Sequence, residues 1–202
     1  KKKDKFSLQN ASIQNLLQAD LLAKPEYYIN RAGTKFEEDV FEFAIQASKD
    51  TPFCGKLERI SGQRFPDIVA KIEQIGGYGI EVKTTSQDHW KSTGSSIFES
   101  TRVEGIEKIS LMFGKLSNPL EVMWRPYEDC LYEVAVTHSP RYLIDMEAKE
   151  TIFDRINVPY DELRQLPNPF KPIKEHYVKN VMREGQDLWW VDPSEEQHSS
   201  LI

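Results

Sequence analysis

Cysteine is scarce in this sequence, with two residues in a chain of 202. Cys54 and Cys130 lack the CxxC spacing of thiolate metal motifs, and two thiols cannot build a disulfide framework. Long apolar runs are also missing, since no stretch approaches the roughly 20 residues of a membrane-spanning helix. The chain does not open with a signal-peptide pattern. We therefore expect an intracellular, cytoplasmic protein in a reducing setting, without membrane contact.

The sequence also lacks an excess of positive charge. Its 26 Lys and Arg residues face 32 Asp and Glu residues, which gives a formal net charge of −6. This balance argues mildly against a protein that coats nucleic acid non-specifically, but it is compatible with an enzyme that has one basic cleft. The hydrophobic content of 39% is ordinary for a globular protein. At this length we expect a single domain over residues 1–202.

Three helices are predicted. Apolar residues recur at helical spacing from residue 13 until Pro25, which indicates an N-terminal helical extension within residues 1–30. A second helix is predicted for residues 35–49, because turn-forming and helix-breaking residues stand on both sides of it. A third helix is predicted for residues 103–116. Its apolar face would consist of Ile106, Ile109, Phe113 and Leu116.

Between the second and third helices the pattern changes to strands. Two β-rich runs, residues 67–72 and 79–84, enclose a Gly76-Gly77 pair that can adopt the positive φ angles of a tight connection. They predict an antiparallel hairpin. Other strands are predicted at residues 57–60, 121–124, 131–136 and 141–144. Proline recurs in the C-terminal extension, residues 147–202, whose role stays open.

The predicted hairpin carries ionisable side chains that should converge. Glu81 and Lys83 share one face of their strand, because side chains alternate along a strand. Asp67 opens the neighbouring strand directly after Pro66. Two converging carboxylates form a hard oxygen site suited to Mg²⁺, which keeps positions for water and phosphate oxygens. A nearby lysine can hold the attacking water and offset the charge that builds on phosphorus. These groups fit phosphodiester hydrolysis.

The second helix offers a third carboxylate. Glu37 lies on the flank of the helix's apolar arc, whereas Glu38 points away from it. A carboxylate held toward a core is costly unless a cation or hydrogen bonds compensate it. Glu37 is therefore the candidate third acid, with Glu38 and Glu42 as fallbacks. The alternative for Glu37 is a solvated or salt-bridged helix residue.

Pro66-Asp67, thirteen intervening residues and Glu81-Val82-Lys83 resemble the PD-(D/E)XK nuclease signature on its usual hairpin. Gly33-x-x-Phe36-Glu37-x-x-Val40 is similar to the first-helix motif of many members of this superfamily. The resemblance covers residues 33–85 by motif. It implies an α/β, restriction endonuclease-like sandwich, with a mixed central sheet of about five strands flanked by helices. It also implies a DNA endonuclease, most readily a type II restriction enzyme of a prokaryote.

The same resemblance implies the roles of individual residues. Asp67 and Glu81 would ligate Mg²⁺, with Mn²⁺ as a substitute, and the Val82 carbonyl and Glu37 would add ligands. Lys83 would orient the water that attacks phosphorus, which leaves 5′-phosphate and 3′-hydroxyl ends. The substrate would be double-stranded DNA, cut by a two-fold homodimer. Candidate DNA contacts are Thr84, Thr85, Ser86, Gln87, Lys91 and Arg102.

Other interpretations stay open. The acids and Lys83 could form only a strand-edge salt bridge of little energy. The chain could be a DNA repair or junction-resolving nuclease of the same superfamily, or a non-catalytic DNA-binding module with the nuclease fold. A hydrolase of small phosphoesters is disfavoured, because no Gly-rich phosphate loop or His-rich cluster is present. His89, His138 and Trp189-Trp190 could contact DNA, although ordinary structural roles are favoured for them.

Overall fold

The computed structural model describes residues 4–136 and 139–180. Their helices are α1 (Lys5–Ala23), α2 (Pro25–Tyr28), α3 (Gly33–Ser48), a 3₁₀ helix (Tyr127–Cys130), α4 (Ile152–Ile156), α5 (Tyr160–Leu163) and α6 (Phe170–Asn180). Their strands are β1 (Leu57–Arg59), β2 (Ile68–Ile72), β3 (Gly76–Thr85), β4 (Lys91–Ser96), β5 (Lys108–Lys115), β6 (Glu121–Pro126), β7 (Leu131–Val136) and β8 (Pro140–Asp145).

The strands form two sheets. The larger one has five strands in the order β1-β2-β3-β5-β6, with β3 and β5 parallel and the other neighbours antiparallel. The smaller one has three antiparallel strands in the order β4-β8-β7. The predictions of an α/β protein, a mixed five-stranded sheet and a β2–β3 hairpin are confirmed. The second sheet was not predicted.

The five-stranded sheet is covered on both faces. Along β5, Leu111 and Phe113 pack into one buried cluster and Met112 packs into another, as expected for side chains that alternate along a strand. The Met112 cluster includes apolar residues of α1 and α3. The Leu111 cluster includes residues of the second sheet and of α4 to α6. The sheet therefore lies between a helical layer and a mixed layer.

The N-terminal helix is part of this core. It ends at Ala23, before Pro25, as the sequence predicted, and a short helix that was not predicted begins at Pro25. Three of its apolar side chains are fully enclosed: Ile13, Leu17 and Leu21. The residues predicted to be an N-terminal extension therefore complete one face of the main sheet.

The helix predicted for residues 103–116 is wrong. Residues 108–115 form β5, and all of them except Lys108 are buried. A strand covered on both faces shows a nearly continuous apolar run, whose spacing also matches one face of a helix. Strand β4 was not predicted for a different reason, since its sequence Lys-Ser-Thr-Gly-Ser-Ser contains little apolar surface.

The C-terminal region is helical as far as the structure describes it. Ile152, Leu163 and Ile173 come from its three helices and are fully buried. His138 and Trp189-Trp190 lie outside the described residues. Within the two described ranges, no helix combines the length and apolar character that crossing a bilayer requires.

Candidate active site

Strands β2 and β3 bring Asp67 and Glu81 together. The antiparallel register pairs Ile68 with Ile80, so the two acids lie just beyond this pair on adjacent strands. Oδ2 of Asp67 accepts a hydrogen bond of 2.8 Å from the backbone N–H of Val82. The ring of Pro66 occupies the space that a side chain at Gly79 would need. The small residue on β3 therefore allows the close approach that positions Asp67.

The two acids lie in an environment that disfavours their charged forms, since Glu81 is buried and Asp67 is half-buried. Glu81 is only 6% exposed. Burial raises the pKa of Glu81 to about 7; the Lys83 ammonium opposes this rise, and the neighbouring Asp67 carboxyl adds to it. Burial also raises the pKa of Asp67, although the hydrogen bond from Val82 and the charge of Lys83 oppose this. Each of the two carboxyl groups affects the pKa of the other, and the raised pKa of Glu81 means that its carboxyl holds a proton more tightly than an ordinary glutamate does. Removal of that proton would place two negative charges side by side.

Lys83 faces the same site. Its Nζ lies 2.8 Å from Oε1 of Glu81, and 27% of its side chain remains exposed. Glu81 and Lys83 are opposite Leu111 and Phe113 in the parallel register with β5. The ammonium group therefore contacts a buried acid and can also reach a ligand from solvent.

Helix α3 supplies a third carboxyl beside the pair. Burial raises the pKa of Glu37, and the charge of Asp67 raises it further. The fallback residues lie elsewhere. Glu38 makes ion pairs with Lys35 at 3.1 Å and with Arg59 at 3.8 Å, and Glu42 is exposed. Glu37 is therefore the helix glutamate that we place at the site, because the charge of Asp67 raises its pKa.

The donors of this site fit a magnesium ion that retains part of its water. Within residues 4–136 and 139–180, no three or more His, Cys, Asp or Glu side chains are grouped closely enough to hold a metal by themselves. Magnesium commonly takes one or two protein carboxylates and keeps several waters, and Asp67 and Glu81 provide that number. Because the N–H and C=O of one strand residue point to the same side, the Val82 carbonyl faces the side of Asp67.

The residues that follow Lys83 line a polar groove of about 530 Å³. The sequence predicted four of its lining residues as DNA contacts: Thr84, Thr85, Ser86 and Gln87. The groove is completed by Asn30, Arg31, His89 and Leu116. No sequence motif connects these residues with the hairpin, since the first two precede α3 and Leu116 follows β5. Only the folded chain places them together.

The two basic residues predicted to contact DNA do not line this groove. Lys91 lies on β4, where its Nζ is 3.8 Å from Asp145. The Arg102 guanidinium is 9% exposed and pairs with Glu99 at 2.8 Å. It also donates hydrogen bonds to the Tyr160 hydroxyl and the Ile106 carbonyl. Arg102 thus serves as an internal cross-link in this structure.

Neither the comparison with protein-family models nor the search of curated proteins gives a match for this chain. What the chain does must therefore be argued from the chemistry and geometry of its own residues.

Proposed function

We propose that this protein is a magnesium-dependent endonuclease that hydrolyses DNA phosphodiester bonds and has the restriction endonuclease-like fold of the PD-(D/E)XK superfamily. One observation carries the proposal. Asp67 and Glu81, from adjacent strands, interact at a site where Glu81 is buried and Asp67 is half-buried, with Lys83 paired to Glu81 and Glu37 close to Asp67. Burying two acids in contact is unfavourable for a fold, and such perturbed acids are typical of functional sites.

The arrangement of the elements supports the fold assignment. A helix that carries Glu37 precedes an antiparallel hairpin that carries the other three motif residues. The hairpin's second strand, β3, is then flanked by a parallel strand, β5. The order of the helix and the hairpin is the one that the motif resemblance implies.

Asp67 and Glu81 would hold Mg²⁺, together with the Val82 carbonyl and a water bound by Glu37. The ion would supply Lewis-acid polarisation of the phosphate and neutralise the two carboxylates. Glu81 must lose its proton to serve as a ligand. Lys83 would then hold the attacking water and donate to the phosphate oxygen on which charge builds. The water oxygen bonds to phosphorus and gives up a proton to solvent, the bond between phosphorus and the 3′ oxygen breaks, and the 3′ oxygen takes up a proton from solvent, which gives a 5′-phosphate and a 3′-hydroxyl.

The test is cleavage of plasmid DNA in Mg²⁺ by the native protein and by Lys83→Ala. We expect the variant to cleave more slowly than the native protein by a factor of about 10² or more, which is the scale for removal of one charge-stabilising group. Lys71→Ala is the matched control, because Lys71 is an exposed residue of the same hairpin. Full activity of Lys83→Ala, or equal losses in both variants, would refute the mechanism.

The same digest separates the two kinds of nuclease. Discrete fragments would support a type II restriction enzyme, which would act as a homodimer on double-stranded DNA. A second candidate, a repair or junction-resolving nuclease, is favoured by the groove that the residues after Lys83 line, because about 530 Å³ suits a segment of one DNA strand. Failure to cut plain duplex, together with cleavage of branched or unpaired DNA, would support the second candidate.

A further inference from the structure

The groove lined by the residues that follow Lys83 has features of a preformed binding site. We propose that it receives one unpaired nucleotide of the DNA strand, next to the phosphate that is cleaved, and binds it through the base and sugar. This inference rests on the proposed nuclease function and names the form of its substrate. The groove is lined by Asn30, Arg31, Thr84, Thr85, Ser86, Gln87, His89 and Leu116.

Hydrogen bonds lock the three segments that form the groove. The Asn30 N–H donates to the Leu116 carbonyl at 3.1 Å, and the Leu116 N–H donates to the Thr85 carbonyl at 2.8 Å. On the other side, the nearly buried Lys115 ammonium holds Asp88 at 2.7 Å, within the segment that contains Gln87 and His89. The groove therefore exists before a ligand arrives, so little ordering is needed on binding.

The location of the groove follows from the motif. Thr84 is the residue after Lys83 on β3, and the lining continues along the chain to His89. A strand whose phosphate is bound at Lys83 would therefore place a neighbouring nucleotide against this lining. Because Thr84 and Thr85 lie on the same strand as Glu81 and Lys83, the spacing between these four residues is fixed.

The lining is suited to bases and sugars more than to phosphates. Most of its polar groups are neutral hydroxyls and amides, which can both donate and accept hydrogen bonds. The charge of Arg31 is already balanced by its ion pair with Asp39. His89 Nδ1 accepts from the Lys91 N–H, so its Nε2 carries the proton and donates to Gln87 Oε1 at 3.1 Å. The Gln87 amide NH₂ then remains available as a donor to a ligand.

The size of the groove argues for a single nucleotide unit. A volume of about 530 Å³ lies within the range of small-ligand sites, about 300–1,000 Å³. A DNA duplex is too large to enter such a space, because its major groove alone is about 12 Å wide and the whole duplex is wider. A paired base would have to leave its stack to enter, whereas an unpaired base avoids most of that penalty. Unpaired DNA should therefore bind more tightly than duplex DNA.

Equilibrium binding tests this without relying on cleavage. Fluorescence anisotropy in Mg²⁺ would compare a labelled single-stranded oligonucleotide with the same sequence in a blunt duplex, using Lys83→Ala to prevent turnover. We expect the single strand to bind at least tenfold more tightly. Adding Gln87→Ala should weaken single-strand binding several-fold, and adding Ser86→Trp, which fills the groove, should weaken it at least tenfold. The matched control is Gln46→Ala, an exposed position on α3.

The outcomes separate this inference from the proposed function. Equal or tighter binding of the duplex would overturn the inference even if plasmid DNA is cleaved, and so would groove variants that bind like Gln46→Ala. Selective loss of single-strand binding in folded groove variants would support it even if no cleavage occurs. Thermal melting identifies variants that remain folded, and binding by Gln87→Ala decides the matter if Ser86→Trp does not fold.

Discussion

The carboxylate of Asp67 accepts a hydrogen bond from the backbone N–H of Val82, the residue that separates Glu81 from Lys83. One acid is thereby fixed to the backbone of the strand that carries the other acid and the lysine. The geometry of the site is therefore a property of the hairpin backbone, so a substitution can change the charge of a site residue without disturbing the hairpin.

Asp67→Asn should keep the fold and lose metal binding. The amide oxygen can still accept from Val82, but the neutral group is a much weaker magnesium ligand. Titration calorimetry with Mg²⁺ should show at least a tenfold loss of affinity, and thermal melting in chelator should show no destabilisation. Undiminished Mg²⁺ affinity in the variant would argue against the proposed metal site and for a non-catalytic module.

The metal-free protein should become less stable between about pH 4.5 and 7. A carboxyl whose pKa is raised by folding binds its proton more tightly in the folded state. Its stabilising contribution is complete below the unfolded pKa and is lost as pH rises through the folded pKa. For Glu81 the loss is on the order of 3 kcal/mol. Urea unfolding with chelator at pH 4.5 and pH 7.5 measures it.

Glu81→Gln provides the control for this pH dependence. The amide cannot ionise, so the free energy of unfolding should fall less over the same pH interval, and the variant should exceed the native protein in stability at pH 7.5. Parallel pH profiles for the two proteins would mean that ionisation of Glu81 does not cause the loss of stability.

Magnesium should stabilise the native protein at neutral pH. An ion that binds only the folded state adds about 2.7 kcal/mol when present at 100 times its dissociation constant. We expect the melting temperature to rise with Mg²⁺ concentration in the native protein and to change little in Glu81→Gln. A rise of equal size in both would place the bound ion elsewhere.

Glu37→Gln should slow cleavage by about tenfold or more, the usual scale for residues that orient a metal and its water. The neighbouring Glu38 is a matched control, because its carboxylate pairs with Lys35 at the surface. Glu38→Gln should cut at close to the native rate. If Glu38→Gln cleaved more slowly than Glu37→Gln, the third acid would be Glu38 and not Glu37.

Arg102→Met should reduce stability instead of DNA affinity. It leaves the buried Glu99 without its cation, and removing one partner of a buried ion pair is destabilising by about 3–5 kcal/mol. The comparison is Lys91→Met, because 59% of the Lys91 side chain is exposed. Normal unfolding with weakened DNA binding in Arg102→Met would restore the role that the sequence suggested for this residue.

The sequence predicted the hairpin well, because a hairpin depends on local patterns. Strand β7 was predicted with the bounds Leu131–Val136, and α3 within two residues of each end. The orientation of Glu37 followed from helical periodicity, and its raised pKa agrees with that prediction. The helix predicted in place of β5 was wrong because that region depends on packing between distant segments and not on a local pattern. Its apolar residues face two different cores, and only the packed layers reveal that.

The sequence alone determined that Glu81 and Lys83 share one face of a strand and that Glu37 lies beside the apolar face of a helix. Strands and helices repeat their side-chain directions every few residues, so the local sequence is sufficient for this. Tertiary structure decided everything that depends on contacts between distant segments. Asn30 and Leu116 meet beside Thr85 only because α2 leads into a loop against the end of β5. Arg102 became an internal cross-link because Glu99 and Tyr160 enclose it. Such contacts depend on how the apolar faces of distant elements pack together, and a local sequence pattern does not predict that packing.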